Sequence, residues 1–262
     1  NQSQQDPVVT TLADGRFVTT WASNNQDGSS YGIYGQIIDR AGEPIGDEFQ
    51  VNSYTSSDQS VPSVASLADG GFIVAWRDNS AHDGGSNWDV RAQRYDAAGN
   101  AAGNEFRVNT YTSNNQYTPS VTGLSGGNYV VTWADSSGHD DGSSWDIRGQ
   151  LYNDMGTPLG EEFLVNSTTY QTQSEPSVAS LTDGGFVVTW QADYQDGDSH
   201  YYNIYGQRYD GDGSVVGDEF RVNVDRASYD QHEPSVTGLN NGEFVVTWED
   251  ETVTSRSSEL GH

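Results

Sequence analysis

The sequence predicts an all-β fold assembled from repeated four-stranded units, and three observations carry that expectation. The pentapeptide ending in Trp recurs at Phe17–Trp21, Phe72–Trp76, Tyr129–Trp133, Phe186–Trp190 and Phe244–Trp248, with tryptophans 55, 57, 57 and 58 residues apart. A Gln marker (Gln36, Gln93, Gln150, Gln207) and a Glu-Phe pair starting at Glu48, Glu105, Glu162 and Glu219 both repeat every 57 residues. The prolines Pro7, Pro62, Pro119, Pro176 and Pro234 follow the Trp spacing. Self-similarity at such a period describes a solenoid, a propeller or an array.

Each unit reads as four strands. The first, of the Pro62–Leu67 type, turns through Asp69-Gly70-Gly71, or Asn241-Gly242 in the last copy, residues that tolerate the positive φ of a tight hairpin. The second is the Phe72–Trp76 type, apolar on both faces and so expected to be buried on both. The third, of the Asp146–Tyr152 type, leads into Asp39–Gly42, Asp96–Gly99, Asn153–Gly156 or Asp210–Gly213; Asp or Asn first and Gly fourth suit a type I turn followed by a left-handed residue. The fourth is the Glu105–Asn109 type, in which Phe and Val alternate with polar residues. A unit of this length is too short for an immunoglobulin-like sandwich. The expected fold is therefore a β-propeller of about five four-stranded blades, the last incomplete. Its units run 1–53, 54–110, 111–167, 168–224 and 225–250 within one domain, and 251–262 reads as a tail of vector character. The half unit at the end raises the expectation of self-association through that blade.

Composition narrows the function. The 262 residues include 38 acidic and 11 basic side chains, the basic ones all Arg, for a net charge of −27. That excludes binding to nucleic acid through a basic footprint. At 33% hydrophobic, with no apolar run of about 18 residues, the chain offers no membrane-spanning helix and no membrane insertion is expected. The absence of Cys excludes a disulfide framework, a thiolate zinc site and a Cys nucleophile.

Strands that alternate in direction put the second-to-third and fourth-to-first connections on one face, and these longer polar loops are where binding residues are expected. Five residues before each marker Gln stands an aromatic: Tyr31, Trp88, Trp145 and Tyr202. A ring beside Asp and Asn side chains suits a sugar, whose apolar face it covers while the polar groups bond hydroxyls. The expected ligand set adds Asp89, Asp146 and Asn203 beside those rings, and Arg91 and Arg148, which stand where other units have Tyr34 and Tyr205; pairing with a neighbouring acid is the first role expected of the two arginines and anion or uronate binding the second. The Asp-Gly loops supply hard oxygen ligands suited to calcium, with Asp27, Asp83, Asp140, Asp196 and Asp198 as candidates. His82, His139, His200 and His232 read as solvated loop residues.

The repeat, as in Pro176-Ser177-Val178, Gly185–Trp190, Ile204–Asp210 and Gly217–Asn223, resembles the tandem repeats of large secreted bacterial calcium-dependent proteins of the RTX adhesin type. The resemblance implies a secreted or cell-surface setting and calcium; the Gly-Gly-x-Gly-x-Asp nonapeptides of that family are absent from the chain. The reading that follows is a non-catalytic, multivalent, lectin-like module for surface glycan or polysaccharide. A structural spacer in a long adhesin is the alternative, and a glycoside hydrolase or lyase a lesser one. Catalysis needs carboxylates in distinct roles, and near-equivalent units are expected to offer no unique pair.

Overall fold

The structure, a computed structural model, describes residues 3–82, 87–139, 145–169, 171–196, 199–224 and 230–251. Blade 1 comprises β1 (Gln4–Thr11), β2 (Phe17–Asn24), β3 (Tyr31–Ile38) and β4 (Pro44–Gln50). Blade 2 comprises β5 (Gln59–Ser66), β6 (Phe72–Asp78), β7 (Asp89–Tyr95) and the short β8 (Phe106–Arg107). Blade 3 comprises β9 (Gln116–Gly123), β10 (Tyr129–Asp135), β11 (Asp146–Tyr152) and β12 (Pro158–Leu164). Blade 4 comprises β13 (Gln173–Ser180), β14 (Phe186–Asp196), β15 (Ser199–Tyr209) and β16 (Val215–Arg221), and the fifth sheet holds β17 (Gln231–Gly238) and β18 (Phe244–Asp250). Strands pair antiparallel in chain order within each sheet, so the architecture is an all-β propeller of four full blades and a two-stranded fifth.

The hairpins form for the reasons the sequence offers. Gly70 closes the β5–β6 turn at φ +88°, donating its amide to Leu67, while the Asp69 carboxylate accepts the Gly71 amide at 3.0 Å. Between third and fourth strands one Asx side chain holds the turn: Asp39 accepts from Ala41 at 2.8 Å and Glu43 at 2.9 Å. Gly149 lies flat beneath the Phe163 ring, where an added Cβ would come within 2.6 Å of the ring.

The core sits between blades. Each hydrophobic cluster takes residues from two consecutive blades, such as Ile73, Val90, Val131 and Trp133 from blades 2 and 3. Trp76, Trp133 and Trp190 are fully buried because their blades have neighbours on both faces, whereas Trp248 on β18 keeps 37% of its surface exposed. Hydrogen bonds join the layers. The hydroxyls of Ser63, Ser120 and Ser177 accept the amides of Val121, Val178 and Val236 on the next innermost strand, at 3.1, 3.2 and 3.1 Å. This assigns a role to the Ser of the Pro-Ser-Val motif. Nearer the rim, Glu105, Glu162 and Glu219 accept the amides of Ser53, Thr110 and Ser167 from the preceding blade.

The innermost strands β1, β5, β9, β13 and β17 pack successively around one axis. Val8, Ser63, Thr122, Val178 and Val236 are among the residues lining the cavity they enclose, about 490 Å³.

Burial predicts unequal tryptophans. Trp133→Ala is expected to lower the unfolding free energy by about 3–5 kcal/mol, and Trp248→Ala by about 1 kcal/mol or less, as read by denaturant titration of each variant.

Candidate active site at the channel mouth

Every innermost strand opens with a Gln and reaches a Pro three residues later, and only the two residues between them change character: Gln5-Asp6, Ser60-Val61, Tyr117-Thr118, Ser174-Glu175 and His232-Glu233. The flanks are fixed for structural reasons. Gln59 and Gln116 are fully buried and donate to Asp78 and Asp135 at 2.8 Å, and their oxygens accept from Asn52 and Asn109 at the end of the preceding blade. The Pro brings no amide donor to the ladder. Between these anchors the register slips in all five strands, and the residue before Pro is left-handed: Asp6, Val61, Thr118, Glu175 and Glu233 have φ of 53, 52, 47, 52 and 51°. For β-branched Val61 and Thr118 this is a strained conformation, costing on the order of 1–3 kcal/mol each.

Opposite these bulges, one residue after each Trp, the second strand varies as well: Ala22, Arg77, Ala134, Gln191 and Glu249. Cross-strand pairing matches their sizes. Arg77 faces Ser60 and donates from Nε to its hydroxyl at 2.8 Å; Gln191 faces Ser174 and donates at 3.1 Å; Tyr117 faces Ala134. The variable positions lie at the strand ends from which the second-to-third connections leave, so they form the channel mouth on the long-loop face.

The mouth is asymmetric in charge. Glu175 is held above the usual carboxylate range, first by burial and then by the Glu233 charge of the next blade, with the Arg77 guanidinium from two blades back acting against both. These electrostatic interactions cross the ring and link blades 2, 4 and 5. Glu233 is exposed, and its amide donates to Gln191 Oε1 at 3.0 Å. Asp6 adds an exposed acid on blade 1. Beside them stands an aromatic group: Tyr117 stacks on Trp145 with centroids 5.4 Å apart and meets Trp88 edgewise at 5.9 Å, while the Arg77 guanidinium lies 4.6 Å from the Trp88 centroid and 5.2 Å from that of Tyr117. A carboxyl group with a raised pKa, a second carboxylate and a ring surface are the parts that sugar chemistry uses.

Of the residues singled out from sequence, Trp88 and Trp145 reach this mouth. Tyr202 lies 5.2 Å from His232, with its amide donating to Asp230 at 2.9 Å, and Tyr31 packs on the core between blades 1 and 2. The others are engaged within the blades. Asp89, Asp146 and Asn203 are buried and accept the amides of Asn109, Asn166 and Asn223 at 2.7, 2.8 and 2.9 Å. Burial raises the Asp89 pKa. Arg91 is enclosed with Asp78 and Glu105 at 3.0 and 3.2 Å, and Arg148 with Asp135 and Glu162 at 3.0 and 3.3 Å. The Asp27 carboxylate caps its own loop at the Ser29 amide, 3.0 Å, and accepts from Gln50. Asp83, Asp140 and Asp198 lie outside the described residues, and Asp196 closes β14 with a side chain that is also outside them. Among the described residues, potential metal-ligand atoms of Asp230, His232 and Glu251 come within 4.8 Å of one another, a group that includes none of the sequence candidates.

Two expectations change at this point. His232 belongs to β17 and not to a loop. The blades are also not equivalent where it matters, because Asp6, Glu175 and Glu233 share one backbone position with Val61 and Thr118. Sequence reading missed these residues with Arg77, Tyr117 and Gln191, although the two unlike residues between a constant Gln and a constant Pro were a usable signal.

No protein-family model and no curated protein matches the chain. Solved structures share its fold. A protein of unknown function from Dyadobacter fermentans superposes with a TM-score of 0.66 at 12% identity, covering 94% of this chain and 75% of its own. The Penicillium chrysogenum α-L-arabinanase, solved with arabinobiose, gives 0.62 at 15% identity over 93% and 74%. An endo-arabinase from Bacteroides thetaiotaomicron gives 0.54 at 15% over 93% and 88%. These findings confirm the propeller and correct the resemblance to RTX-type adhesin repeats, since the neighbours with a named activity are arabinan-cleaving enzymes. They overturn the non-catalytic, lectin-like reading with it, because the same fold carries arabinan-cleaving enzymes.

The raised Glu175 pKa has a stability consequence. The folded chain holds that proton above the pKa of an unfolded Glu, so between the two pKa values folding takes up a proton and stability falls as pH rises. Glu175→Gln removes this penalty. Its melting temperature should gain on the wild type as pH rises from 4 to 7; a constant difference would contradict the assignment.

Proposed function

We propose that the chain is a glycoside hydrolase acting on a polysaccharide at the mouth of its axial channel, with Glu175 as general acid and Glu233 as its partner carboxylate. The observation that carries this is the unlike setting of the pair: burial and the Glu233 charge raise the Glu175 pKa, while Glu233 stands open to solvent. Glu175 would donate to the departing glycosidic oxygen. Glu233 would place negative charge at the anomeric carbon as the bond opens and oxocarbenium character develops. Tyr117, Trp88 and Trp145 provide apolar surface at the same opening, against which a sugar ring can lie. Gln191 fixes Glu233 through its main chain.

The similar arabinanases support an arabinose-containing polymer as the first substrate to try. A polymeric substrate fits a site that is open at the end of a channel and a reaction carried out outside the cell.

The test is release of reducing ends from a panel of plant polysaccharides, arabinan included, by the wild type and by Glu175→Gln and Glu233→Gln. Each substitution is expected to lower the rate by about 10²–10⁴-fold while circular dichroism stays unchanged. Release that survives both substitutions, or no release by the wild type from any polymer, would sink the proposal.

A further inference from the structure

Among the described residues, Arg77 differs from the arginines whose guanidinium is held by carboxylates or carbonyls. Arg91 and Arg148 are enclosed by carboxylates, Arg94 and Arg208 pair with Asp69 and Asp183, and Arg221 bonds the carbonyls of Asn223 and Val224. Arg77 makes a single hydrogen bond among the described residues, from Nε to Ser60, which leaves its two terminal nitrogens without a protein partner there. The side chain is nonetheless held in place. Ser60 anchors Nε, and the Trp88 and Tyr117 rings lie 4.6 and 5.2 Å from the guanidinium carbon. Stacking of this kind orients a guanidinium at little entropic cost and directs its remaining donors in a planar fork.

No carboxylate bonds this fork among the described residues. Glu175 is the acid whose pKa Arg77 affects, yet burial and the Glu233 charge outweigh that effect and raise it. The mouth thus holds a pre-oriented guanidinium whose two terminal nitrogens face no bonded partner among the described residues. We infer that Arg77 is a subsite for the carboxylate of a uronic acid unit, bound through its two terminal nitrogens, so that the favoured substrate is an acidic polysaccharide. A carboxylate presents two coplanar oxygens that match the fork, and Tyr117 and Trp145, stacked beside it, offer apolar surface to the pyranose that bears it. The inference rests on the hydrolase reading and narrows its substrate class.

The test titrates trigalacturonate and its methyl ester, which share the sugar backbone and differ in charge and one methyl per unit, into the full chain at physiological ionic strength, where repulsion from the net charge of −27 is screened. Binding is followed by calorimetry or by nuclear magnetic resonance shifts for the wild type, Arg77→Met and Arg77→Lys. The wild type should bind the acid about tenfold or more tightly than the ester. Arg77→Met should abolish that preference, and Arg77→Lys should keep only part of it, because an ammonium cannot form the fork. If Arg77→Met melts early, Arg77→Gln, with its planar end, takes its place. Equal binding of acid and ester by the wild type, or a preference that survives the loss of the cation in a folded variant, overturns the subsite. The two readings fail separately. Sugar release without a uronate preference leaves the hydrolase and removes the subsite, whereas a preference lost with Arg77 but no sugar release removes the hydrolase and keeps the subsite.

Discussion

Five strands meeting around one axis face a constraint that the rest of the molecule must accommodate: each begins as a hydrogen-bonded ladder, yet each carries a proline three residues after its first Gln. The proline cannot donate, and the chain resolves this by kinking the preceding residue into the left-handed region in all five strands. The kink frees that residue from the ladder. Its side chain then has no place in the core pattern, and it becomes one of the positions in each blade where chemistry can change. Strain borne at Val61 and Thr118, which have no evident chemical task, shows that the kink belongs to the scaffold first and to the site second.

Charge inside the blades follows a rule of joint presence. Blades 2 and 3 enclose Asp78–Arg91–Glu105 and Asp135–Arg148–Glu162. In blades 1 and 4 the Arg positions hold Tyr34 and Tyr205, and the Asp positions hold Ser23 and Ala192. The Arg and its Asp are lost together, as expected where a single buried charge would cost about 3–5 kcal/mol, while the Glu is kept as Glu48, which is exposed, and as Glu219. Neighbouring polar groups then find other partners: in blade 4, where no Asp is available, Gln173 accepts from the Trp190 indole at 3.0 Å. Buried Glu105 and Glu162 both have raised pKa values, burial being the leading cause, and both still accept a backbone amide from the preceding blade.

Much of the fold was legible because its determinants are what the sequence repeats. Trp spacing, Asp-Gly turns and two-sided apolar strands each have a local physical meaning, and together they specify blades. The same habit of reading obscured the site. Repetition directed attention to Asp89, Asp146, Arg91 and Arg148, which are buried and bonded within their blades. Trp88 and Trp145 drew attention because an aromatic stands in that place in every full blade, but their partner Tyr117 occurs once. A site at a channel mouth needs unlike groups facing one another, so its members are the ones that break the pattern. Glu175 could be found as an exception to the repeat, but its link to Arg77, about a hundred positions earlier, appears only when the ring brings blades 2 and 4 together.

The pairing of a large residue on one strand with a small one opposite, Arg77 with Ser60 or Tyr117 with Ala134, gives the mouth a property separate from any single reaction. Each blade contributes a cassette of three positions whose members fit one another, and contacts such as Arg77 on Tyr117 and the Glu233 amide on Gln191 join it to the next. Duplication or exchange of consecutive blades as a pair would therefore transplant working combinations intact. For the same reason, a combinatorial library restricted to these cassettes would explore new specificities on a framework whose hydrogen-bonded anchors it never touches.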